Sequence, residues 1–464
     1  DYFLGGRDAT WLAIGASIFA SNIGSEHLIG LAGAGASSGM AMAHWEIQGW
    51  MILILGWVFV PFYTRSMVYT MPEFLERRYN PQSRTILSVI SLVSYVLTKV
   101  AVTVYAGGLV FQQVFGIKEL WGIDFFWIAA IGLVVLTALY TIFGGMKSVL
   151  YTSVLQTPIL LLGSLIILVL GFKELGGWDE MMRVCGAVTV NDYGDTMTNL
   201  IRSNDDANFP WLGALIGSAI IGFWYWCTDQ FIVQRVLSGK NEMEARRGTI
   251  FGAYLKLLPV FLFLIPGMIA FALHQKYIGA GGEGFLPMLA NGTANADAAF
   301  PTLVAKLLPA GVKGLVVCGI LAALMSSLAS LFNSSAMLFT IDFYKRFKPE
   351  TPEKKLVGIG QIATIVIVVL GILWIPIMRS VGDVLYTYLQ DVQSVLAPGI
   401  AAAFLLGICW KRTSAQGGMW GLIAGMIIGL TRLGAKVYYS NAGEVADSTF
   451  KYLFYDMNWL FFCG

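Results

Sequence analysis

Long apolar stretches separated by short polar ones dominate this chain of 464 residues. A helix that crosses a bilayer needs about 20 predominantly apolar residues. Eleven segments meet that requirement, at 11–35, 45–63, 85–111, 125–144, 148–171, 210–232, 247–273, 311–338, 357–380, 383–410 and 415–438. Continuous apolar runs such as 159–170 suit helices, whose backbone hydrogen bonds are all internal, and no segment shows the two-residue alternation of a barrel strand. The pattern therefore predicts an all-α polytopic membrane protein.

Composition excludes a water-soluble fold. Only 12% of the residues are charged and 57% are hydrophobic, whereas about 25% of the residues of a soluble domain are charged. The 30 basic and 28 acidic residues nearly cancel, so no nucleic-acid partner is predicted. The five cysteines form neither a C-x-x-C pair nor a cluster with histidine, which excludes zinc and iron–sulfur centres.

The lysines and arginines predict the orientation. Clusters of them follow the second, sixth, eighth and tenth segments, the sixth being followed by Arg235 and Lys240. All of these clusters fall on one side if every segment spans, and that side is cytoplasmic by the positive-inside rule. The polar stretches 172–209 and 274–310 then face outward. We expect a multi-pass protein of the plasma (inner) membrane.

Segments one to five and six to ten each form a unit of five spans. Because five is odd, the second unit begins on the opposite side of the membrane from the first, which is the arrangement of inverted-repeat transporters. The predicted organisation is a cytoplasmic lead-in at 1–10, a first repeat at 11–171, an extracellular loop at 172–209, a second repeat at 210–410, and at 411–464 an additional helix with the truncated start of another. Within the first segment, the polar stretch 21–27 interrupts an apolar run. Such a break is tolerated where freed carbonyls line a cavity or coordinate a ligand.

Charged residues at bilayer depth mark a transport pathway or a specific partner. They are Glu26, Glu46, Lys99, Asp229, Lys256 and Asp391. Glu46 and Lys256 could share a sugar, because neighbouring hydroxyls donate to a carboxylate and accept from an ammonium. The alternatives are a solvated carboxylate at the interface for Glu46 and a structural ion pair for Lys256.

Two further patterns suggest binding surfaces. Trp224, Tyr225 and Trp226 follow one another in the sixth segment, where they could face a sugar ring or form an interfacial aromatic belt. Ser326 and Ser330 share one helix face in the eighth segment. Their hydroxyls could serve a hard monovalent cation, sodium ahead of a proton, or the small residues could simply allow close helix packing.

These motifs resemble the sodium/solute symporter family, and in particular its sodium–glucose cotransporter branch. The resemblance rests on ASNIGSEHLIGLAG in the first segment, GFWYWCTDQFIVQR in the sixth and ALMSSLASLFNSSAM in the eighth. It implies a LeuT-type 5+5 inverted-repeat transporter with broken first and sixth core helices. It further implies alternating access driven by sodium, without an organic cofactor.

The resemblance also implies the site residues. The solute would contact Asn22, His27, Glu46, Tyr225, Trp226, Lys256 and Gln390. Gates would be formed by Leu31, Trp45, Tyr225 and Tyr386. Sodium would lie on the carbonyls of Ala20, Ile23 and Ala323 and the hydroxyls of Ser326 and Ser327.

Departures from the family pattern refine the expectation. Branch members that bind a second sodium carry Asp where this chain has Ser153, so one sodium per sugar is predicted. Gly49 and Gly222 stand where relatives place polar groups, which leaves sugar selectivity open. The expected function is sodium-coupled symport of a hexose, glucose or galactose. The alternative is another polyol such as inositol, with a channel or a membrane enzyme less expected, since the spans offer no nucleophile–base cluster.

Overall fold

The computed structural model describes residues 3–24, 26–289, 292–379, 385–441 and 448–463. Side chains at 26, 97–98, 376–379, 385–391, 437, 440–441 and 459 lie outside this description. The expected site residues Tyr386 and Gln390 are among them, as are the charged residues Glu26 and Asp391.

Helices account for nearly all of the regular structure, and the all-α prediction is confirmed. The first repeat region contains α1 (Trp11–Asn22), α2 (Ala32–Ser38), α3 (His44–Ile47), α4 (Trp50–Ile54), α5 (Val60–Ser66), α6 (Met71–Arg78), α7 (Pro81–Ser94), α8 (Ala101–Phe115) and α9 (Phe125–Leu175). A short antiparallel hairpin precedes α9, and its strands β1 (Glu119–Leu120) and β2 (Ile123–Asp124) have two residues each.

The remainder of the chain is organised in the same way. It contains α10 (Trp178–Gly186), α11 (Trp211–Gly222), α12 (Gln230–Leu237), α13 (Glu242–Leu255), α14 (Ile265–Gly279), α15 (Ala299–Leu307), α16 (Ala310–Met337), α17 (Lys345–Phe347), α18 (Glu353–Arg379), α19 (Leu385–Cys409), α20 (Ala415–Asn441), α21 (Thr449–Lys451) and α22 (Trp459–Cys463). Wider π-helical turns join several of these, at Glu26–Leu31, Leu55–Phe59, Tyr95–Val100, Phe223–Thr228, Val260–Leu264, Leu338–Tyr344 and Tyr452–Asp456. Short 3₁₀ turns occupy Gly5–Arg7, Gly39–Ala43 and Ala296–Ala298.

Each of the eleven predicted segments is mainly helical over its described residues. Among the described residues, eight continuous helical stretches are long and apolar enough to cross a membrane, and two shorter apolar helices, Trp11–Asn22 and Ala101–Phe115, complete the first and third segments. The fourth and fifth segments share the 51-residue stretch Phe125–Leu175. The repeat boundaries themselves stay predictions.

The first and sixth core helices are broken, as expected. Helix α1 ends at Asn22, Ile23 leaves the helical region with ψ of 87°, and a π-helical turn begins at Glu26. In the sixth segment Asp229 is extended, with φ −73° and ψ 128°, between the turn Phe223–Thr228 and α12. Polar backbone groups are therefore freed at matching places in the two halves.

The polar stretch 274–310, which the sequence predicts to face outward, contains a helix. It carries α15, whose Phe300 and Leu303 are fully buried. Helix α15 packs against α14 and α8. Burial of this short apolar helix stabilises its packing against the core.

Gly145 divides the 51-residue helix α9. Its φ of 55° and ψ of −153° lie in a region that is essentially accessible to glycine alone. This kink falls between the predicted fourth and fifth segments, where one span is expected to end and the next to begin.

Substitution of this glycine is expected to destabilise the protein. Gly145→Ala should lower the free energy of unfolding by about 1–3 kcal/mol, because alanine is strained at this φ and ψ. Gly132→Ala in the same helix is the control, since a Cβ there meets no atom within 4 Å. It should be neutral or slightly stabilising. Thermal unfolding of both variants in detergent measures the difference, and equal melting temperatures would contradict the assignment.

Candidate functional site

One small buried cavity brings together six of the seven expected solute contacts. Its volume is about 30 Å³. It is lined by Asn22, His27, Trp45, Glu46, Gln48, Ile221, Tyr225, Trp226, Lys256 and Gln393. The seventh expected contact, Gln390, has its side chain outside the described residues. Of the expected gates, Trp45 and Tyr225 line the cavity, whereas Leu31 is buried without lining it.

Irregular backbone positions these side chains. Asn22 is the last residue of α1, and His27 lies in the π-helical turn beyond the break. Tyr225 and Trp226 lie in the π-helical turn of the sixth segment, and Lys256 directly follows the end of α13. Regular helices would carry these groups away from a common centre, so the breaks are what gather them.

The ammonium of Lys256 contacts three other polar side chains of the cavity. Its Nζ lies 2.7 Å from Glu46 Oε2, 2.6 Å from Asn22 Oδ1 and 2.7 Å from His27 Nε2. Glu46 also lies 3.2 Å from His27 Nε2 through Oε1. Only 3% of Glu46 and 3% of Lys256 are exposed. The alternative that Glu46 is a solvated carboxylate at the membrane interface is therefore wrong. Acid and base contact each other directly, as an ion pair requires.

Tyr225 forms one wall of the cavity and has a charged pair behind it. Its hydroxyl accepts a hydrogen bond of 2.9 Å from Asn22 Nδ2, and Lys99 Nζ lies 4.4 Å from its ring centre. Lys99 pairs at 2.6 Å with Asp229, whose carboxylate also caps α12 by accepting from Phe231 N–H. Two of the charges at bilayer depth thus stabilise the sixth-helix break and the tyrosine beside it.

The aromatic run of the sixth segment is not an interfacial belt. Trp224, Tyr225 and Trp226 are all buried in the core. Lys256 Nζ also lies 5.5 Å from the ring centre of Trp226. The belt interpretation is therefore wrong, because a belt requires contact with headgroups and water.

The break in the first helix lies against the hydroxyl face of α16. Ser327 Oγ donates to the Ser21 carbonyl at 2.9 Å, and a Cβ added at Gly24 would come within 2.6 Å of Ser327 Oγ. Ser330 Oγ and Ser21 Oγ are 2.9 Å apart. The two patterns that the sequence predicted separately are therefore adjacent in space.

This junction offers oxygen atoms suited to a hard cation. Gly24 N–H donates to Asn22 O at 3.1 Å, so the Ala20 carbonyl does not receive that N–H as it would in a continuous helix. Ile23, Ala323 and Ser326 are fully buried beside it. Among the described residues no group of three His, Cys, Asp or Glu could hold a metal. Hydroxyl and carbonyl oxygens are the ligands that sodium would find here.

A buried arginine next to this junction was missed from the sequence. Arg235, predicted to be a cation of the cytoplasmic side, has only 1% of its surface exposed. Its Nε donates to Ser21 Oγ at 3.0 Å and to Ser17 Oγ at 3.2 Å. Ser153 Oγ approaches Ser17 Oγ at 3.5 Å and Ser326 Oγ at 3.2 Å. A permanent positive charge therefore contacts the hydroxyl cluster that includes Ser153.

Three other lining residues, Gln48, Ile221 and Gln393, were also missed. Gln48 follows Glu46 by two positions, a spacing that separates side chains on a regular helix. Here α3 ends at Ile47 and a turn precedes α4. Gly49 and Gly222 are the feature of the sequence that could have indicated these lining residues, because a side chain at either position would clash with a cavity side chain.

Comparisons with known proteins place the chain among transporters. A family model described as "Sodium:solute symporter family" matches residues 2–425. Sodium/myo-inositol cotransporter 2 of Homo sapiens is 39% identical over 445 residues, covering 93% of this chain and 65% of that protein. Sodium/myo-inositol cotransporter of Canis lupus familiaris is 39% identical over 454 residues, covering 93% and 62%. The chain thus spans slightly less than two thirds of the length of these relatives.

Solved structures show the same fold at low identity. A substrate-bound, outward-open Na⁺-coupled sialic acid symporter superposes with a TM-score of 0.74 and 22% identity, covering 93% of this chain and 92% of that one. MhsT in complex with L-phenylalanine gives a TM-score of 0.57 at 13% identity, covering 91% and 98%. The expected LeuT-type 5+5 fold is confirmed.

Proposed function

Because this chain belongs to the sodium:solute symporter family, we propose that it carries a small polyhydroxylated ring across the membrane together with sodium. The observation that carries the proposal is the meeting of Glu46, Lys256, Asn22 and His27 in one buried cavity. A carboxylate that accepts and an ammonium that donates can together hold two neighbouring hydroxyls of one ring.

Solute binding requires the cavity to open. A cavity volume of about 30 Å³ lies far below the roughly 300–1,000 Å³ of a pocket that encloses a small-molecule ligand. The solute hydroxyls would replace the direct contact of 2.7 Å between Lys256 and Glu46. We therefore assign the described geometry to a closed state of the site, and the solute to a conformation in which the pair is separated.

Sodium would stabilise the conformation that accepts the solute. Its oxygen ligands would come from the first-helix break at Ala20 and Ile23 and from Ala323, Ser326 and Ser327 on α16. Asn22 lies between Ala20 and Ile23 in the chain and also contacts Lys256. One rearrangement of this break would therefore affect both sites. Coupling is reciprocal, and sodium must tighten solute binding by the factor by which solute tightens sodium binding.

One sodium per solute is the stoichiometry we propose. Ser153 contributes a neutral hydroxyl where a carboxylate would attract a second cation. Arg235 adds a permanent positive charge on the same hydroxyl cluster, and like charges in a region of low dielectric repel strongly. The guanidinium thus opposes a second sodium beside Ser153.

We place myo-inositol ahead of glucose and galactose as the solute. The relatives reported above are named sodium/myo-inositol cotransporters, which favours the polyol alternative over the hexose. Both solute classes present neighbouring hydroxyls to Glu46 and Lys256. The location we propose is the plasma (inner) membrane, with the lipid bilayer as the surrounding partner.

Uptake into proteoliposomes tests the proposal. Labelled myo-inositol should enter at least about tenfold faster with an inward sodium gradient than with potassium in its place. Its kcat/KM should exceed those of glucose and galactose. Liposomes containing no protein control for leakage. Uptake that does not depend on sodium would contradict symport. A higher kcat/KM for glucose than for myo-inositol would favour a hexose as the solute.

A further inference from the structure

Gln48, one of the lining residues of the cavity, carries an unused hydrogen-bond acceptor. Its Oε1 is buried and, within the part of the chain that the structure describes, has no hydrogen-bond partner. Gln48 lines the same cavity as Glu46 and Lys256. Buried amide oxygens in native proteins are nearly always paired, so an unpaired one at a binding cavity indicates a missing donor.

The backbone holds Gln48 in the cavity wall. Gly49 N–H donates to Glu46 O at 3.0 Å, and Met51 N–H donates to Gln48 O at 2.9 Å. These tight three-residue turns replace the regular α-helical pattern between α3 and α4. Glu46 and Gln48, which would point apart on a regular helix, therefore line one cavity.

Two glycines make room for the polar side chains. A Cβ at Gly222 would lie 2.5 Å from Gln48 Oε1 and 3.3 Å from Met51 Cγ. A Cβ at Gly49 would lie 2.8 Å from Lys256 Cγ. The amide of Gln48 can occupy its position only because position 222 has no side chain.

We infer that Gln48 determines specificity by accepting a hydrogen bond from a ring hydroxyl of the solute. This inference rests on the proposed function and adds a contact beyond those made by Glu46 and Lys256. A site that hydrogen-bonds a given hydroxyl discriminates against the analogue lacking it, because the buried polar group is then left unpaired.

A panel of monodeoxy-myo-inositols tests the inference in proteoliposomes. Gln48→Ala should lower kcat/KM for myo-inositol about tenfold, the size expected for one lost hydrogen bond. The deoxy analogue that lacks the hydroxyl bound by Gln48 should be transported equally well by wild type and variant. Gly222→Ala should reproduce this pattern, since it displaces the amide without removing it.

Gln156→Ala is the matched control. The amide oxygen of Gln156 is also buried without a partner in the described structure, but Gln156 does not line the cavity. Its transport profile should equal that of wild type. A Gln48→Ala variant that lowers kcat/KM equally for every analogue, or for none, overturns the role of Gln48 alone. Absence of sodium-driven myo-inositol uptake by wild type overturns the proposed function and this inference together.

Discussion

Replacing Lys256 by methionine is expected to lower sodium-driven solute uptake by at least about 100-fold. The ammonium donates to Glu46, Asn22 and His27, and hydrogen bonds to charged groups each contribute about 1.5–3 kcal/mol. Its removal also leaves the carboxylate of Glu46 buried without its cation. Uptake per folded transporter in proteoliposomes measures the loss.

Stability and transport can be separated by a second variant. Removing one member of a buried ion pair costs about 3–5 kcal/mol, whereas replacing both by apolar residues is often neutral or stabilising. Lys256→Met alone should therefore lower the melting temperature, and Lys256→Met combined with Glu46→Leu should restore it. Uptake should stay lost in the double variant. If transport returned with stability, the pair would be a structural ion pair and the solute site would lie elsewhere.

Loss of a hydroxyl from α16 is expected to weaken sodium dependence strongly. Ser326→Ala or Ser327→Ala should raise the sodium concentration for half-maximal uptake at least about tenfold, the effect of losing roughly 1.4 kcal/mol of binding free energy. Because coupling is reciprocal, solute affinity at a fixed, subsaturating sodium concentration should fall as well. Initial uptake rates across a sodium titration measure both effects.

Ser335→Ala is the control for this experiment. Ser335 lies on the same helix and is fully buried, and its Oγ has no partner among the described residues. It is nine positions from Ser326, about 13 Å along the helix axis. Its sodium dependence should match wild type. Unchanged sodium dependence in Ser326→Ala and Ser327→Ala, or an equal shift in Ser335→Ala, would remove the proposed sodium site.

Much of the architecture could be predicted from local pattern. The apolar segments and the polar stretch that breaks the first helix are properties of neighbouring residues, because each span must satisfy its own backbone in the bilayer. The break in the sixth helix was expected only from the family resemblance. The spacing of Ser326 and Ser330 likewise placed both on one helix face. These predictions needed no knowledge of what packs against what.

Pairing between distant residues could not be predicted in this way. The sequence suggested Lys99 and Asp229 as separate charges at bilayer depth, and the structure pairs them at 2.6 Å. It placed Arg235 on the cytoplasmic side, whereas contacts with Ser17 and Ser21 hold it inside the core. Such contacts join positions that are more than 100 residues apart, and no local pattern encodes them.

By itself the sequence determined that this is a polytopic helical membrane protein, where its first helix breaks and which residue types are available for a solute and a cation. Only the tertiary structure decided that Glu46 and Lys256 meet, and that Gln48 completes the wall of their cavity. The physical reason is that spans are selected one at a time by the apolar bilayer. A binding cavity instead depends on how closely several broken helices pack, down to the missing Cβ of Gly222.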